Sequence, residues 1–189
     1  MEKYRRIAVY GSSTVAEGEP DYRLAKELGR ELARAGAAVM TGGYGGVMES
    51  ASRGAAEAGG HVIGVTVEQF EHRGPVNRWV QERVHTPDLF ERLRHLITTA
   101  DGFVAVGGGL GTLTEVLLVW TLLSVHARPR AALVLLGESW QAWLETNRRV
   151  GFITPELLEH VQLARAAPEA ARLALAGVQA GVARSRSTA

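Results

Sequence analysis

A short apolar run that ends in consecutive glycines constrains this chain more than any other feature. Residues 103–106, Phe-Val-Ala-Val, are apolar without alternation, which is typical of a parallel strand buried on both faces. Gly107, Gly108 and Gly109 follow directly, and a long apolar stretch comes after them. Glycine lets the backbone turn sharply and approach another group closely. The pattern therefore predicts a buried strand, a tight turn and a helix in immediate succession.

The start of that helix is a candidate anion site. Leu110, Gly111 and Thr112 fall where the helix begins, and a helix N-terminus offers unpaired N–H groups and about half a positive charge. A phosphate is the natural ligand, with the Thr112 hydroxyl as a further donor. Glu115 lies one turn further on, where a carboxylate must face another part of the ligand, such as a sugar. The alternative is a tight connection that needs glycine but binds nothing.

Two earlier segments have the same character. Buried strands are predicted over 6–10 and 37–40, and each runs into small residues at its carboxyl end. The segment after the first strand contains Gly11, Ser12 and Ser13; the segment after the second contains Gly42, Gly43, Gly45, Gly46 and Met48. A close contact between helix and sheet also requires small residues, so a single glycine here is ambiguous. Taken together, the loops predict phosphate or substrate binding.

The spacing Gly-Gly-x-Gly-Thr-x-x-Glu over Gly108 to Glu115 resembles the LOG family of cytokinin-activating nucleoside 5'-monophosphate phosphoribohydrolases. These proteins are often labelled lysine decarboxylases, and their motif reads Pro-Gly-Gly-x-Gly-Thr-x-x-Glu. Gly107 stands in place of the proline. The second loop resembles the family signature Gly-Gly-x-x-Gly-x-Met-Gly, with Glu49 in place of the last glycine.

The resemblance also assigns roles to two side chains. Arg92 lies where LOG proteins have a functional arginine in a His-x-Arg-Lys segment, although Phe90 and Leu93 replace the histidine and the lysine. Breaking an N-glycosidic bond develops positive charge on the ribose, which a carboxylate near C1' stabilises. Glu115 is therefore the candidate catalyst. Arg92 would orient the 5'-phosphate or hold Glu115 ionised.

The implied reaction is hydrolysis of AMP or an N6-substituted AMP to the free base and ribose 5-phosphate, without a cofactor. The rival hypothesis is a nucleotide-binding or cofactor-carrier protein of the same fold that catalyses nothing. Retention of both Glu115 and Arg92 favours the enzyme, because a carrier needs only the glycine loops.

Strands that alternate with helices predict an α/β fold, a doubly wound, Rossmann-like parallel sheet flanked by helices. A single domain is expected over 1–182, followed by a disordered tail over 183–189. In such a sheet the ligand crevice lies at the switch point of the winding. The loop after the first strand and the loop at 107–112 are predicted to flank it.

Composition excludes several function classes. The net charge is +1 and the arginines are scattered, so neither nucleic acid nor a membrane is an expected partner. Cysteine is absent, and the six histidines show no zinc spacing, so no metal site is expected. Lysine occurs only at Lys3 and Lys26, neither of which is placed to hold pyridoxal phosphate. With no signal segment or membrane-length apolar run, we expect a cytoplasmic protein.

Two further segments carry predictions. Residues 66–87 lack periodicity, which is typical of a lid or binding loop, and Arg73, Arg78 and Trp79 are candidates there for covering a base or phosphate. Solvated arginines and a packing tryptophan are the alternative. The predicted helix 113–125 is apolar on nearly every side, so a second subunit is expected to cover part of it. The LOG resemblance likewise implies a homodimer.

Overall fold

The computed structural model describes residues 5–128 and 131–186, whose strands form one parallel seven-stranded sheet in the order β4-β3-β2-β1-β5-β6-β7. The strands are β1 Arg5–Tyr10, β2 Ala37–Thr41, β3 Val62–Val67, β4 Glu82–Thr86, β5 Gly102–Ala105, β6 Leu133–Leu136 and β7 Gln162–Ala164. The winding reverses between β1 and β5. This confirms the doubly wound α/β prediction and places the switch point beside the predicted glycine loops.

Helices occupy the connections between the strands. They are α1 Pro20–Arg34, α2 Val47–Glu57, α3 Leu89–Thr99, α4 Leu110–Ser124, α5 Glu138–Arg149, α6 Pro155–Leu158 and α7 Ala167–Arg186, with a 3₁₀ helix at Glu68–Arg73. Local sequence explains two of the starts. Pro20 occupies the first turn of α1, and the Asp88 side chain caps α3 by accepting a hydrogen bond from Glu91 N at 2.8 Å.

The sheet separates two hydrophobic cores. Helices α1, α2 and α7 cover one face, while α3, α4 and α5 cover the other. Strands β1 and β5 are buried between them, and Val9 pairs with Val104 at the centre of the sheet with no solvent exposure. Burial on both faces explains why the central strands have uninterrupted apolar sequences.

Glycines bring α1 and α2 into backbone contact. A β-carbon at Gly29 would overlap the carbonyl oxygen of Ala51, and one at Gly54 would overlap that of Lys26. The two helices therefore pack closer than larger side chains permit. Because the glycine loops after β1 and β2 lead into these helices, this contact fixes the two loops relative to each other.

The element bounds differ from the predicted ones mainly at the ends. Helix α4 begins at Leu110 instead of 113, because Gly111 is accepted in its first turn. Strand β5 lies at the switch point beside β1. Strand β4, which precedes β5 in the chain, lies at the far edge of the sheet beside β3. Helix α7 runs from Ala167 to Arg186, and the single domain over 1–182 with a disordered tail over 183–189 stays a prediction. Residues 187–189 lie outside the described residues. Among the described residues, none of the helices has the length and apolarity needed to span a membrane.

Candidate active site

The three predicted loops meet at the carboxyl ends of β1, β2 and β5. Ser12 N donates to Gly107 O at 3.0 Å, and Val47 N donates to Ser12 O at 2.8 Å. Ser12 therefore joins the loop after β1 to both neighbouring loops through its backbone. The structure thus brings the sequence-predicted segments together at one edge of the sheet, at the switch point.

The glycines in these loops fall into two groups: at some a side chain would clash with the protein, and at others it would not. A β-carbon would collide with protein atoms at several positions; these are Gly11 against Val47, Gly42 against Arg92 and Met48, Gly46 against Ser12 and Ser13, and Gly108 against Thr112 and Ser12. Gly43 and Gly46 also have positive φ angles of 80° and 67°, which favour glycine. At Gly109 and Gly111, in contrast, a β-carbon would meet nothing within 4 Å. Close packing against protein atoms therefore explains the glycines at which a β-carbon would collide. Of these two groups, only Gly109 and Gly111 face open space.

Helix α4 begins at this open side. Gly109 is its N-cap, without a side-chain cap, and Leu113 N donates back to Gly109 O at 3.0 Å. The N–H groups of Leu110, Gly111 and Thr112 precede that first intrahelical bond, so they have no acceptor within the helix. Thr112 is buried at 4% exposure against Gly108. The geometry at this end of α4 is that of an anion site.

A buried ion pair lies one turn into α4. Arg92 Nη1 on α3 is 3.6 Å from Glu115 Oε1 on α4, and the two side chains are 6% and 13% exposed. Arg92 Nε also donates to Val65 O at 2.8 Å, and its guanidinium lies 5.7 Å from the Phe70 ring centre. The same guanidinium occupies the space beside Gly42. Arg92 thus connects the second glycine loop with the carboxylate of Glu115.

The protonation of Glu115 is set by two opposing effects. Burial raises the pKa of this carboxyl group, the positive charge of Arg92 lowers it, and the balance leaves the pKa at about 7. Burial is the larger of the two effects, and the expectation that Arg92 orients the 5'-phosphate or holds Glu115 ionised stays a prediction. A carboxyl group with this pKa can both accept and donate a proton near neutral pH.

Tyr10, at the end of β1, was not predicted to belong to the site. Its side chain is 2% exposed, its hydroxyl has no hydrogen-bond partner among the described residues, and its ring stacks on Phe103 at 6.1 Å. Burial raises the pKa of the Tyr10 phenol, Glu115 raises it further, and Arg92 opposes both. The charges of Glu115 and Arg92 therefore influence the pKa of the Tyr10 phenol. The sequence does not indicate this position, because Tyr10 is the last residue of a strand that is apolar over 7–9.

The 66–87 segment packs against the second glycine loop. Asn77 N donates to Gly43 O at 2.8 Å, and Asn77 Nδ2 donates to Tyr44 O at 3.1 Å. The guanidinium of Arg78 stacks on the Trp79 ring at 4.6 Å, which agrees with the packing alternative for these two residues. The Arg73 side chain lies outside the described part of the chain. Asn77, which had no predicted role, is thus one of the residues that join this segment to the site; Val67, whose N–H donates to Tyr44 Oη at 3.1 Å, is another.

Among the side chains that the structure describes, which exclude those of 71–73 and 178–186, no group of three or more His, Asp or Glu residues is placed to hold a metal ion. Lys26 lies on α1 and pairs with Glu57 at 2.8 Å, away from the glycine loops. Lys3 lies outside the described residues. The expected independence from metal and cofactor stays a prediction.

Fold and site together define a Rossmann-like α/β protein with glycine loops at its switch point beside a buried Arg–Glu pair. The model of the SLOG cluster4 family matches residues 4–125, well over half of the sequence, and the chain belongs to this family. The match spans both glycine loops and the ion pair. It confirms the family predicted from the two loop motifs.

Curated relatives agree with this assignment. A probable cytokinin riboside 5'-monophosphate phosphoribohydrolase of Oryza sativa subsp. japonica is 32% identical over 178 residues, which cover 92% of this chain and 77% of the relative. The cytokinin riboside 5'-monophosphate phosphoribohydrolase of Mycobacterium tuberculosis is 27% identical over 164 residues, or 82% and 85% of the two chains.

Solved structures resemble the chain along nearly its whole length. The molybdenum cofactor binding protein of Rippkaea orientalis has a TM-score of 0.71 at 25% identity, over 93% of this chain and 98% of its own. The molybdenum cofactor carrier protein of Chlamydomonas reinhardtii has a TM-score of 0.68 at 28% identity, over 92% and 99%. Proteins named as enzymes and proteins named as carriers thus share this architecture.

Proposed function

We propose that this protein hydrolyses the N-glycosidic bond of a purine nucleoside 5'-monophosphate, AMP or an N6-substituted AMP, to the free base and ribose 5-phosphate. The observation that carries the proposal is the buried Glu115 carboxyl group, held 3.6 Å from Arg92 one turn beyond the glycine loop. A protein that only binds a nucleotide does not need to bury a carboxylate whose pKa is raised. The names of the relatives support the same reaction.

The phosphate would lie against residues 108–112, because the open N–H groups of α4 begin there. The ribose would then extend toward Glu115. As the bond from C1' to the base breaks, its electron pair leaves with the base and positive charge grows on the ribose. The ionised Glu115 carboxylate stabilises that charge and accepts a proton from the water that attacks C1'. The departing base takes up one proton from solvent, and Glu115 returns its proton to solvent afterwards, so that one water is added across the broken bond.

Arg92 acts on this carboxylate and on the loop at the same time. Its position between Gly42 and Glu115 fixes the direction of the carboxylate. Its charge keeps the pKa of Glu115 from rising as far as burial alone would take it. The ionised form of Glu115, which acts as the general base, is then present at neutral pH, although Glu115 lies in a site from which most water is excluded.

The decisive experiment incubates the pure protein with AMP and with N6-substituted AMP and measures free base and ribose 5-phosphate. Equal amounts of the two products are expected. Release of phosphate or adenosine instead would indicate a phosphatase, and no product from any of these nucleotides would contradict the proposal.

A carrier of a cofactor is the second candidate. It is favoured by the likeness to proteins named as molybdenum cofactor binding and carrier proteins. A carrier would bind its ligand at the glycine loops and release it unchanged. Chromatography of the ligand after incubation distinguishes the two functions, because only the enzyme converts it.

The partner we propose is a second copy of the chain. Along α4 an apolar stripe stays exposed, with Leu110 at 82%, Leu117 at 44% and Leu118 at 38%. Leu89 and Phe90 at the start of α3 are also exposed, at 39% and 82%. Apolar surface of this extent is seldom left uncovered on a monomer. We therefore infer a homodimer that buries the α4 stripe.

A further inference from the structure

The guanidinium of Arg92 is covered on one side by an aromatic ring. Its Cζ lies over the ring of Phe70, 5.7 Å from the ring centre, which is within the range of about 6 Å for a cation–π interaction. Phe70 belongs to the 3₁₀ helix Glu68–Arg73, in the segment between β3 and β4. This segment therefore reaches the ion pair as well as the second glycine loop.

Other groups surround the remaining sides of the guanidinium. Arg92 Nε donates to Val65 O at 2.8 Å, Nη2 lies beside Gly42, and Nη1 lies 3.6 Å from Glu115 Oε1. A separation of 3.6 Å is longer than a hydrogen bond, so the carboxylate does not fix the guanidinium by a direct bond. The position of the guanidinium beside Glu115 therefore depends on the backbone contacts and on the ring.

Phe70 is itself held by Tyr44 of the second glycine loop. The Tyr44 hydroxyl donates to Val67 O at 3.0 Å and accepts from Val67 N at 3.1 Å, at the end of β3 where the 3₁₀ helix begins. The rings of Tyr44 and Phe70 meet edge to face, with centres 6.0 Å apart and planes at 69°, an arrangement that aromatic pairs favour. Tyr44 thus restrains both the backbone that precedes Phe70 and the ring itself.

We propose that Phe70 is a positioning residue of the proposed active site, and that its ring holds the Arg92 guanidinium beside Glu115. A planar cation over a ring face is attracted by the electrons of the ring, so the guanidinium is kept from turning away from the carboxylate. Phe70 does not touch the reacting atoms and acts through Arg92. The inference deepens the proposed hydrolysis, and its kinetic test rests on that function.

The effect on Glu115 has a definite sign. Among the described residues, the charged and titratable groups that act on Glu115 or respond to it are Arg92 on α3 and Tyr10 on β1; Phe70 adds no charge. Phe70→Leu keeps apolar atoms over the pair but removes the attraction of the ring face. Burial of Glu115 then persists while the effect of Arg92 weakens, so the pKa of Glu115 should rise above 7.

The first measurement does not depend on any activity. In NMR spectra of the ¹⁵N-labelled full chain, the Arg92 Nε–H is identified by its absence in Arg92→Ala, and its exchange with water is followed. Phe70→Tyr keeps the ring and should exchange as the wild type does, whereas Phe70→Leu should exchange about tenfold faster or more. Equal exchange in wild type and Phe70→Leu, or equal acceleration in both variants, would overturn the proposal.

The second measurement is AMP turnover against pH. In Phe70→Leu the fall in activity toward acidic pH should begin higher by up to about one pH unit. Phe152→Leu, the same change at a residue that is 77% exposed, should leave the profile unchanged. In the Arg92→Ala background, Phe70→Leu should cause no further shift, and an additional shift there would contradict action through Arg92. If the wild type releases no adenine, the proposed function fails, and the exchange measurement still decides whether Phe70 holds Arg92.

Discussion

The guanidinium of Arg92 and the carboxylate of Glu115 join helix α3 to helix α4 across 3.6 Å, in a setting where both side chains are almost fully buried. The two partners are not equivalent: at Glu115 the cost of burial outweighs the attraction of Arg92, so neutralising the carboxylate relieves that cost, whereas removing Arg92 leaves a buried carboxylate without compensation. The pair is therefore expected to influence both the chemistry and the stability of the protein. The first three predictions separate these effects.

Replacing Glu115 with glutamine should leave AMP binding nearly intact and reduce turnover by orders of magnitude. The amide keeps the shape of the side chain but loses the negative charge that matters only in the transition state. The check is adenine release from AMP together with the Kd for AMP. Equal turnover in wild type and variant would show that Glu115 is not the catalyst.

The same variant should change the pH dependence of stability. Folding raises the pKa of Glu115 from 4.5 to about 7, so its favourable contribution is fully present below pH 4.5 and is lost as the pH rises to 7. Above pH 7 the buried charge costs about 3 kcal/mol relative to the protonated form. Glu115→Gln should therefore raise the free energy of unfolding relative to wild type at pH 8, with little difference at pH 4.5. Denaturant titrations at both pH values measure this.

Arg92→Ala should damage binding and turnover together, because the guanidinium contacts both the glycine loop and Glu115. It should also raise the pKa of Glu115 above 7, since the charge of Arg92 lowers that pKa in the native protein. The fall in activity toward acidic pH should then begin at a higher pH. Arg92→Lys, which keeps the charge but loses the planar fork, should shift the profile less. An unchanged profile in Arg92→Ala would contradict this coupling.

A β-branched residue at Gly111 should abolish nucleotide binding while the fold survives. A β-carbon there meets no protein atom within 4 Å, so the side chain of Gly111→Val would cover the open N–H groups of α4 without a clash. AMP binding and thermal unfolding measured together test this. Gly108→Val is the contrasting variant: its side chain would collide with Thr112 and Ser12, and it should lower the unfolding temperature as well.

Leu117→Glu should dissociate the proposed homodimer, because Leu117 lies in the exposed stripe of α4. Multi-angle light scattering at micromolar concentration reports the mass. Val150→Glu, an equally drastic change at another exposed apolar residue, serves as control and should stay dimeric. A single-chain mass for the wild-type protein would rule out the dimer. Trp120 is not suitable for this test, since its indole donates to Leu157 O at 2.8 Å inside the subunit.

Local patterns were sufficient to predict the architecture and the placement of the glycine loops. Uninterrupted apolar runs marked the central strands, and the glycines after them marked the turns, because both are consequences of burial and backbone geometry near one position. Arg92 could be proposed only through the resemblance, as its contact with Glu115 depends on how α3 and α4 pack.

The central position of β1 and β5 determines how well the backbone at the base of the site is protected from hydrogen exchange. Amide hydrogens of buried central strands exchange with solvent only when the whole domain unfolds, whereas edge strands such as β4 and β7 exchange through local opening. The glycine loops follow β1, β2 and β5, interior strands of the sheet for which slow exchange is expected. Binding thus meets a preformed surface, and deuterium uptake after ligand addition should change along the 3₁₀ segment and β4 while Val9 and Val104 keep their protection.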